Sequence, residues 1–187
     1  MSLYQREMDG LKGFKGIIIP KRSINEVEKV ISDKDQVTIT VDDKYIQFRT
    51  SDIILISRII EGSFPDYDNV IPEGNTNNLI IDKDALMKGL KKVSAIIGRS
   101  EPIKITISDK IMELEAESDI GRAKETLDVK YKGDKITMNF NVRFVMDVVA
   151  HIDGQEISIK APATYGAVLF EGEEGRNYRS IIMPIRI

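Results

Sequence analysis

The 187-residue chain contains no cysteine and one histidine, His151. The first absence removes disulfide staples and any thiolate nucleophile, and it fits a reducing, cytoplasmic setting. The second leaves imidazole chemistry a single group on an apolar helix, and a lone histidine carries no mechanism by itself. No apolar run approaches membrane-spanning length and no signal peptide is visible, so no membrane partner is expected. Phosphate-cradling glycine loops, zinc-ligand spacings and nucleophile elbows are also missing, so neither cofactor nor metal is expected. An excess of one charge is lacking too: Lys+Arg 27 against Asp+Glu 30 gives a net charge of −3. Any polyanion would therefore have to be met by charge segregated onto one face.

What remains is an ordinary globular composition, 42% hydrophobic and 30% charged, long enough for one large domain or one and a half ordinary ones. Residues 1–15 read as an ill-defined lead-in. Met1-Ser2-Leu3 resembles a cloning scar before a natural sequence entered partway. From Gly16 onward the chain repeats itself three times. Each unit starts with a short apolar strand, Gly16 to Pro20, Leu79 to Ile81 and Ile136 to Phe140. An amphipathic helix follows each: Ser23 to Ile31, with Ser23 and Glu26 at capping-box spacing, Asp82 toward Ile97, and Val142 to Ile152 behind Asn141 as cap. Ile19, Ile81 and Phe140 hold equivalent places about sixty residues apart.

A hairpin signal follows each helix. Val37 to Val41 turns at Asp42-Asp43 into Tyr45 to Arg49; Ile103 to Ile107 turns at Asp109-Lys110 into Met112 to Ala116; Ile157 to Lys160 leads to Ala167 to Phe170. A further strand closes each unit, Ile53 to Ile60, Glu125 to Tyr131 and Ser180 to Ile187. The unit is β-α-β-β-β, three times, an α+β chain. Prolines, glycines and Asp/Asn between Glu61 and Asn75 mark a connector. One unit upstream and two downstream make half a domain and a whole one, which suggests truncation.

The tail Ile181-Ile182-Met183-Pro184-Ile185-Arg186-Ile187 is almost wholly apolar. It reads either as an edge strand or as a partner-binding surface, since an ordinary terminus is polar. On the second helix Leu86, Leu90, Val93 and Ile97 share one face, and Lys88, Lys91, Lys92 and Arg99 the opposite one. Such a cationic stripe could hold phosphates without reading bases, or simply be a solvated surface.

The connector Gly62-Ser63-Phe64-Pro65-Asp66-Tyr67 with Val70-Ile71-Pro72, the segment Phe140 to Val148, and the ending Met183-Pro184-Ile185-Arg186-Ile187 together resemble the bacterial DNA polymerase III beta subunit, the replicative sliding clamp. The resemblance implies the DNA clamp fold, here as the second half of a middle domain (residues 16–66), a connector (67–76) and a complete C-terminal domain (77–187). It implies a non-enzymatic processivity clamp that encircles duplex DNA and tethers polymerase, with other replication and repair clients and a clamp loader as partners. A client-peptide pocket would comprise Pro65, Val70, Asn141, Phe144, Tyr165, Ala167, Ile181, Met183, Pro184, Ile185, Arg186 and Ile187. A family pocket also uses a glycine-containing segment that Asp9-Gly10-Leu11-Lys12 does not match, so one wall would be absent or altered. DNA-facing positions would be Lys21 and Arg22 just before the first helix, Lys29 on it, and Lys88, Lys91, Lys92 and Arg99. Ile96 and Ile97 match the docking edge of a head-to-tail homodimeric ring, which this chain would not close because it lacks the domain they dock on. Two other readings stay open. One is a β-rich interaction scaffold without DNA. The other is a hydrolase on Asp42-Asp43 or Asp66/Asp68, although the first pair lies in a turn, where Asp serves local backbone bonding, and the second in the connector.

Overall fold

The computed structural model describes residues 1–5, 16–32, 36–64, 66–98, 101–172 and 178–186. In chain order these form β1 (Ser2–Tyr4), α1 (Lys21–Val30), β2 (Thr38–Val41), β3 (Tyr45–Arg49), β4 (Ile54–Arg58), β5 (Asn77–Asp82), α2 (Lys83–Ser94), β6 (Pro102–Ser108), β7 (Ile111–Ser118), β8 (Gly121–Asp128), β9 (Ile136–Asn141), α3 (Val142–His151), β10 (Glu156–Ala161), β11 (Val168–Gly172) and β12 (Tyr178–Ile182). They divide into a larger unit, Met1–Glu7 with Asp68–Ile187, and a smaller one, Met8–Tyr67.

In the larger unit, strict apolar alternation makes half-buried strands. On β7, Met112, Leu114 and Ala116 are buried, while Glu113, Glu115 and Glu117 point outward. Lys104, Arg122 and Lys124 answer them at 2.9, 2.8 and 2.7 Å. Exposed pairs of this kind add little stability, so the inward row does the folding. Asp109 and Lys110 adopt φ of 45° and 70°, the left-handed pair of a type I′ two-residue hairpin. The sheets run β1-β12-β11-β10-β5 and β8-β7-β6-β9. The two repeats are thereby interlocked: β5 opens one repeat but pairs with β10 of the other, and β9 returns the exchange on β6. Helices α2 and α3 pack together, and Leu86, Leu90, Val145 and Val149 join Phe140 and Phe170 in one core.

Asp82 caps α2, its carboxylate accepting from the Ala85 N–H at 2.7 Å, and α2 ends at Ser94, before Ile97. At Gly172 an added Cβ would lie 2.8 Å from the Asp153 carbonyl oxygen and 3.3 Å from Ile152 Cγ2. Gly172→Ala gains about 0.5–1 kcal/mol from reduced chain entropy but overpacks against backbone at a cost of about 1–3 kcal/mol. A net fall in melting temperature of a few degrees is expected by calorimetry; an unchanged or raised midpoint would show that the Asp153 turn yields freely.

The smaller unit holds α1 and the sheet β2-β3-β4. Its buried side chains among the described residues are Ile46 and Phe48. The Ser23–Glu26 capping box does not form. Pro20, with φ near −59°, is already the N-cap, so the Ser23 N–H donates to the Pro20 carbonyl at 2.9 Å, the Ser23 hydroxyl bonds that of Ser57, and Glu26 pairs with Lys29. Lys21 and Arg22 therefore lie in the first turn rather than before the helix. The Gly16–Pro20 strand shrinks to one bridge, Ile18 to Ile60.

Two further expectations change. Residues 1–15 are not all shapeless: Ser2–Tyr4 pair antiparallel with β12, the amino terminus donating to the Ile181 carbonyl and the Ile181 N–H to that of Met1. The lead-in segment Asp9 to Lys12 lies outside the described residues. The last strand stops at Ile182, because Pro184 has no N–H to continue a ladder.

Candidate functional site

Beyond β12 the tail crosses to the open edge of β9. The Ile185 N–H donates to the Asn139 carbonyl at 2.7 Å, and the Tyr165 hydroxyl donates to the Pro184 carbonyl. The Arg186 guanidinium lies 4.3 Å from the centroid of the Tyr165 ring, a stacking contact worth about 0.5–1 kcal/mol at an exposed site. These anchors frame a cavity of about 460 Å³ walled by β9, the Pro162–Gly166 loop and Pro184 to Arg186. Of the expected pocket residues, Tyr165, Pro184, Ile185 and Arg186 line it.

The others are placed differently. Met183 is 56% exposed and Phe144, on the first turn of α3, 57% exposed; Val70, in a single 3-10 turn, is also exposed. None of the three lines the cavity. Asn141 caps α3, its side-chain oxygen accepting from the Arg143 N–H at 3.0 Å. The Ala167 carbonyl accepts from Asn75 at 3.0 Å. Ile181 is buried in the sheet opposite Leu169. Pro65 and Ile187 lie outside the described residues. Sequence reading missed the walls Met138 and Pro162; the apolar alternation of Ile136, Met138 and Phe140 signalled a strand, but not that the strand's free edge would meet the tail.

On α2, Leu86, Leu90 and Val93 are buried. Lys88 and Lys91 stand exposed without an ion pair among the described residues. Lys92 reaches Glu125 of β8 at 2.7 Å, which neutralises part of the stripe. Lys21 and Arg22 are exposed on α1, and Lys29 is held by Glu26 at 2.9 Å. Arg99 lies outside the described residues. Ile96 and Ile97 are half-buried against the core just past α2. Ile97 also lines a second cavity, of about 410 Å³, with Arg143, Met146 and Asp147 of α3.

The acid/base candidates have other occupations. Asp42 accepts the N–H groups of Lys44 and Tyr45 at 2.7 and 2.6 Å, and these bonds hold its carboxyl below the usual carboxylate range. A carboxylate so stabilised is a turn former and a poor proton acceptor. His151 is exposed, bonds the Asp147 carbonyl and stacks on Tyr178.

An internally duplicated α+β unit, with two packed helices, two exchanged sheets, a cationic helix face and an apolar C-terminal surface, defines the class: a clamp-type module of paired repeats. Family models match in the same order along the chain. The model for the DNA polymerase III beta subunit central domain covers residues 2–66, and that for its C-terminal domain covers residues 68–186. The beta sliding clamp of Caulobacter vibrioides (strain NA1000 / CB15N) is 30% identical over 190 residues, 96% of this chain and 49% of that protein. That of Staphylococcus aureus (strain Mu50 / ATCC 700699) is 25% identical over the whole chain and 51% of its own length. Among solved structures, a C. crescentus beta sliding clamp superposes with a TM-score of 0.92 at 26% identity, covering 100% of this chain and 50% of that one. A Bartonella birtlesii sliding clamp bound to griselimycin gives 0.90 at 25%, covering 100% and 51%. The chain belongs to the DNA polymerase III beta subunit family and has the sliding-clamp fold. It spans about half the length of the curated relatives it matches.

Proposed function

We propose that the chain acts as an arc of a replicative processivity clamp, a non-catalytic tether that holds duplex DNA through backbone phosphates and docks clients on its C-terminal surface. The observation that carries this reading is the coincidence, within a chain matched throughout by the family, of a Lys88/Lys91 face without ion pairs among the described residues and an exposed apolar surface bearing Met183 and Phe144. Phosphate contacts position a duplex without reading it. Exposed thioether and aromatic groups grip varied apolar anchors, while Arg186 and Asn141 supply orienting polarity. Polymerase, other replication and repair proteins and the clamp loader are the partners this implies. Ile96 and Ile97 would serve ring closure against the neighbouring subunit.

The docking surface is tested by titrating a fluorescent client-type peptide against the chain and Met183→Ala. Truncating an anchor residue at a docking surface costs about 2 kcal/mol when it is a hot spot, so affinity should fall about thirtyfold. Equal affinity for the two proteins would remove Met183 from the docking surface.

A further inference from the structure

The cavity at the edge of β9 carries charge of one sign. Among the described residues its charged lining side chains are Lys135, just ahead of β9, and Arg186, and no carboxylate joins them. Both are exposed, and neither has an ion pair among the described residues. Between them lies an apolar floor of Met138, Pro162 and Ile185. In a chain whose net charge is −3, two such cations beside apolar surface leave a place for an anion brought by a partner.

The Arg186 end of the cavity is held in place before any partner arrives. The Asn75 side-chain amide donates to the carbonyls of Lys160 at 2.8 Å and Ala167 at 3.0 Å, the two residues that bracket the Pro162–Gly166 loop. From that loop the Tyr165 hydroxyl donates to the Pro184 carbonyl, and the Ile185 N–H is bonded to Asn139 at 2.7 Å. Loop, tail and strand are thereby tied to one another. Arg186 then rests over the Tyr165 ring, 4.3 Å from its centroid. A guanidinium held over a ring has already given up part of its rotamer freedom, and its planar fork of N–H donors fits a carboxylate through two parallel bonds.

We propose that this cavity receives an acidic flank of a client peptide. A carboxylate of the peptide pairs with Arg186, Lys135 adds attraction from the β9 side, and neighbouring apolar atoms of the peptide cover Met138, Pro162 and Ile185. The apolar floor favours a peptide over a phosphate backbone, which has little apolar surface to bury there. This assignment rests on the client-docking reading above and extends it. Met183 and Phe144 do not line the cavity, so the acid is recognised apart from the apolar anchor.

Two fluorescent client-type peptides test this, identical except for glutamate or glutamine on both sides of the apolar motif, each titrated against the chain at low salt, where exposed charges are least screened. The glutamate form should bind about tenfold tighter, because a charge-assisted bidentate pair is stronger than a neutral one. The ratio of the two affinities is the quantity read, since a general loss of docking cancels from it. Arg186→Gln should bring the ratio to about one, and Lys135→Gln should lower it in part. Tyr165→Leu changes no charge and should also lower it, by freeing the guanidinium. Met183→Ala should weaken both peptides and keep the ratio. Circular dichroism of each variant should match the parent. Equal binding of the two peptides to the parent, or a ratio unchanged in Arg186→Gln, would overturn the acidic assignment and leave the client reading standing. Binding of neither peptide would overturn both.

Discussion

Phe140→Ala is expected to destabilise the larger unit by about 4 kcal/mol, within the range for emptying a buried aromatic site. Phe140 is 1% exposed, and its ring meets Phe170 edge to face, with centroids 6.4 Å apart and planes at 78°. Phe140 belongs to the sheet β8-β7-β6-β9 and Phe170 to the sheet ending at β5, so this contact joins the two sheets across the core. Total stabilities of domains are about 5–15 kcal/mol, so the loss is a large share of what holds the unit together. Calorimetry should show its transition lowered by about 8–16 °C. Phe140→Leu keeps most of the apolar volume and gives up the ring geometry, worth about 0.5–1.5 kcal/mol, and should lie much nearer the parent. Equal midpoints for Phe140→Ala and the parent would mean that the sheets do not depend on this contact.

Replacing Lys88 and Lys91 together by alanine should weaken duplex binding by the same factor for every sequence, and should reduce the slope of log affinity against log salt by about 2, one unit for each phosphate no longer neutralised. The argument is the segregation of charge on α2. Leu86, Leu90 and Val93 turn into the core, which leaves these two ammonium groups outward and unpaired among the described residues. Lys92→Ala makes the internal comparison. Its ammonium already sits 2.7 Å from Glu125, so its removal should change the slope by less than either free lysine. Fluorescence anisotropy with unrelated duplexes at stepped salt would measure this. A slope unaltered in the double variant would take DNA off this helix face and favour a scaffold that binds only proteins.

The features legible in the sequence were those whose cause is local. Asp82 and Asn141 cap their helices because a short side-chain oxygen can reach the next free N–H groups. Asp109-Lys110 turns because two residues between alternating strands admit only the tight turns whose twist matches that of the strands. The Ser23 cap was misread because proline three residues earlier presets the backbone and starts the helix sooner. Strand β1 went unseen because three residues show no periodicity, and its stability comes from bonds to residues almost a chain length away. The tail's apolar character was visible, but the Met138 and Pro162 walls that meet it were not.

By itself the sequence determined the three-fold β-α-β-β-β pattern, the apolar end and the charged helix face, because periodicity and composition act on neighbours along the chain. Only the tertiary structure decided which strand pairs with which. The opening strands are all short apolar segments, Ile17 to Ile19, Leu79 to Ile81 and Ile136 to Phe140, so nothing in their composition separates pairing at home from exchange with the next repeat. The same holds for charge. Composition could place Lys88, Lys91 and Lys92 on one helix face, but Glu125 reaches Lys92 only once β8 lies beneath it, and that pairing sets Lys92 apart from Lys88 and Lys91.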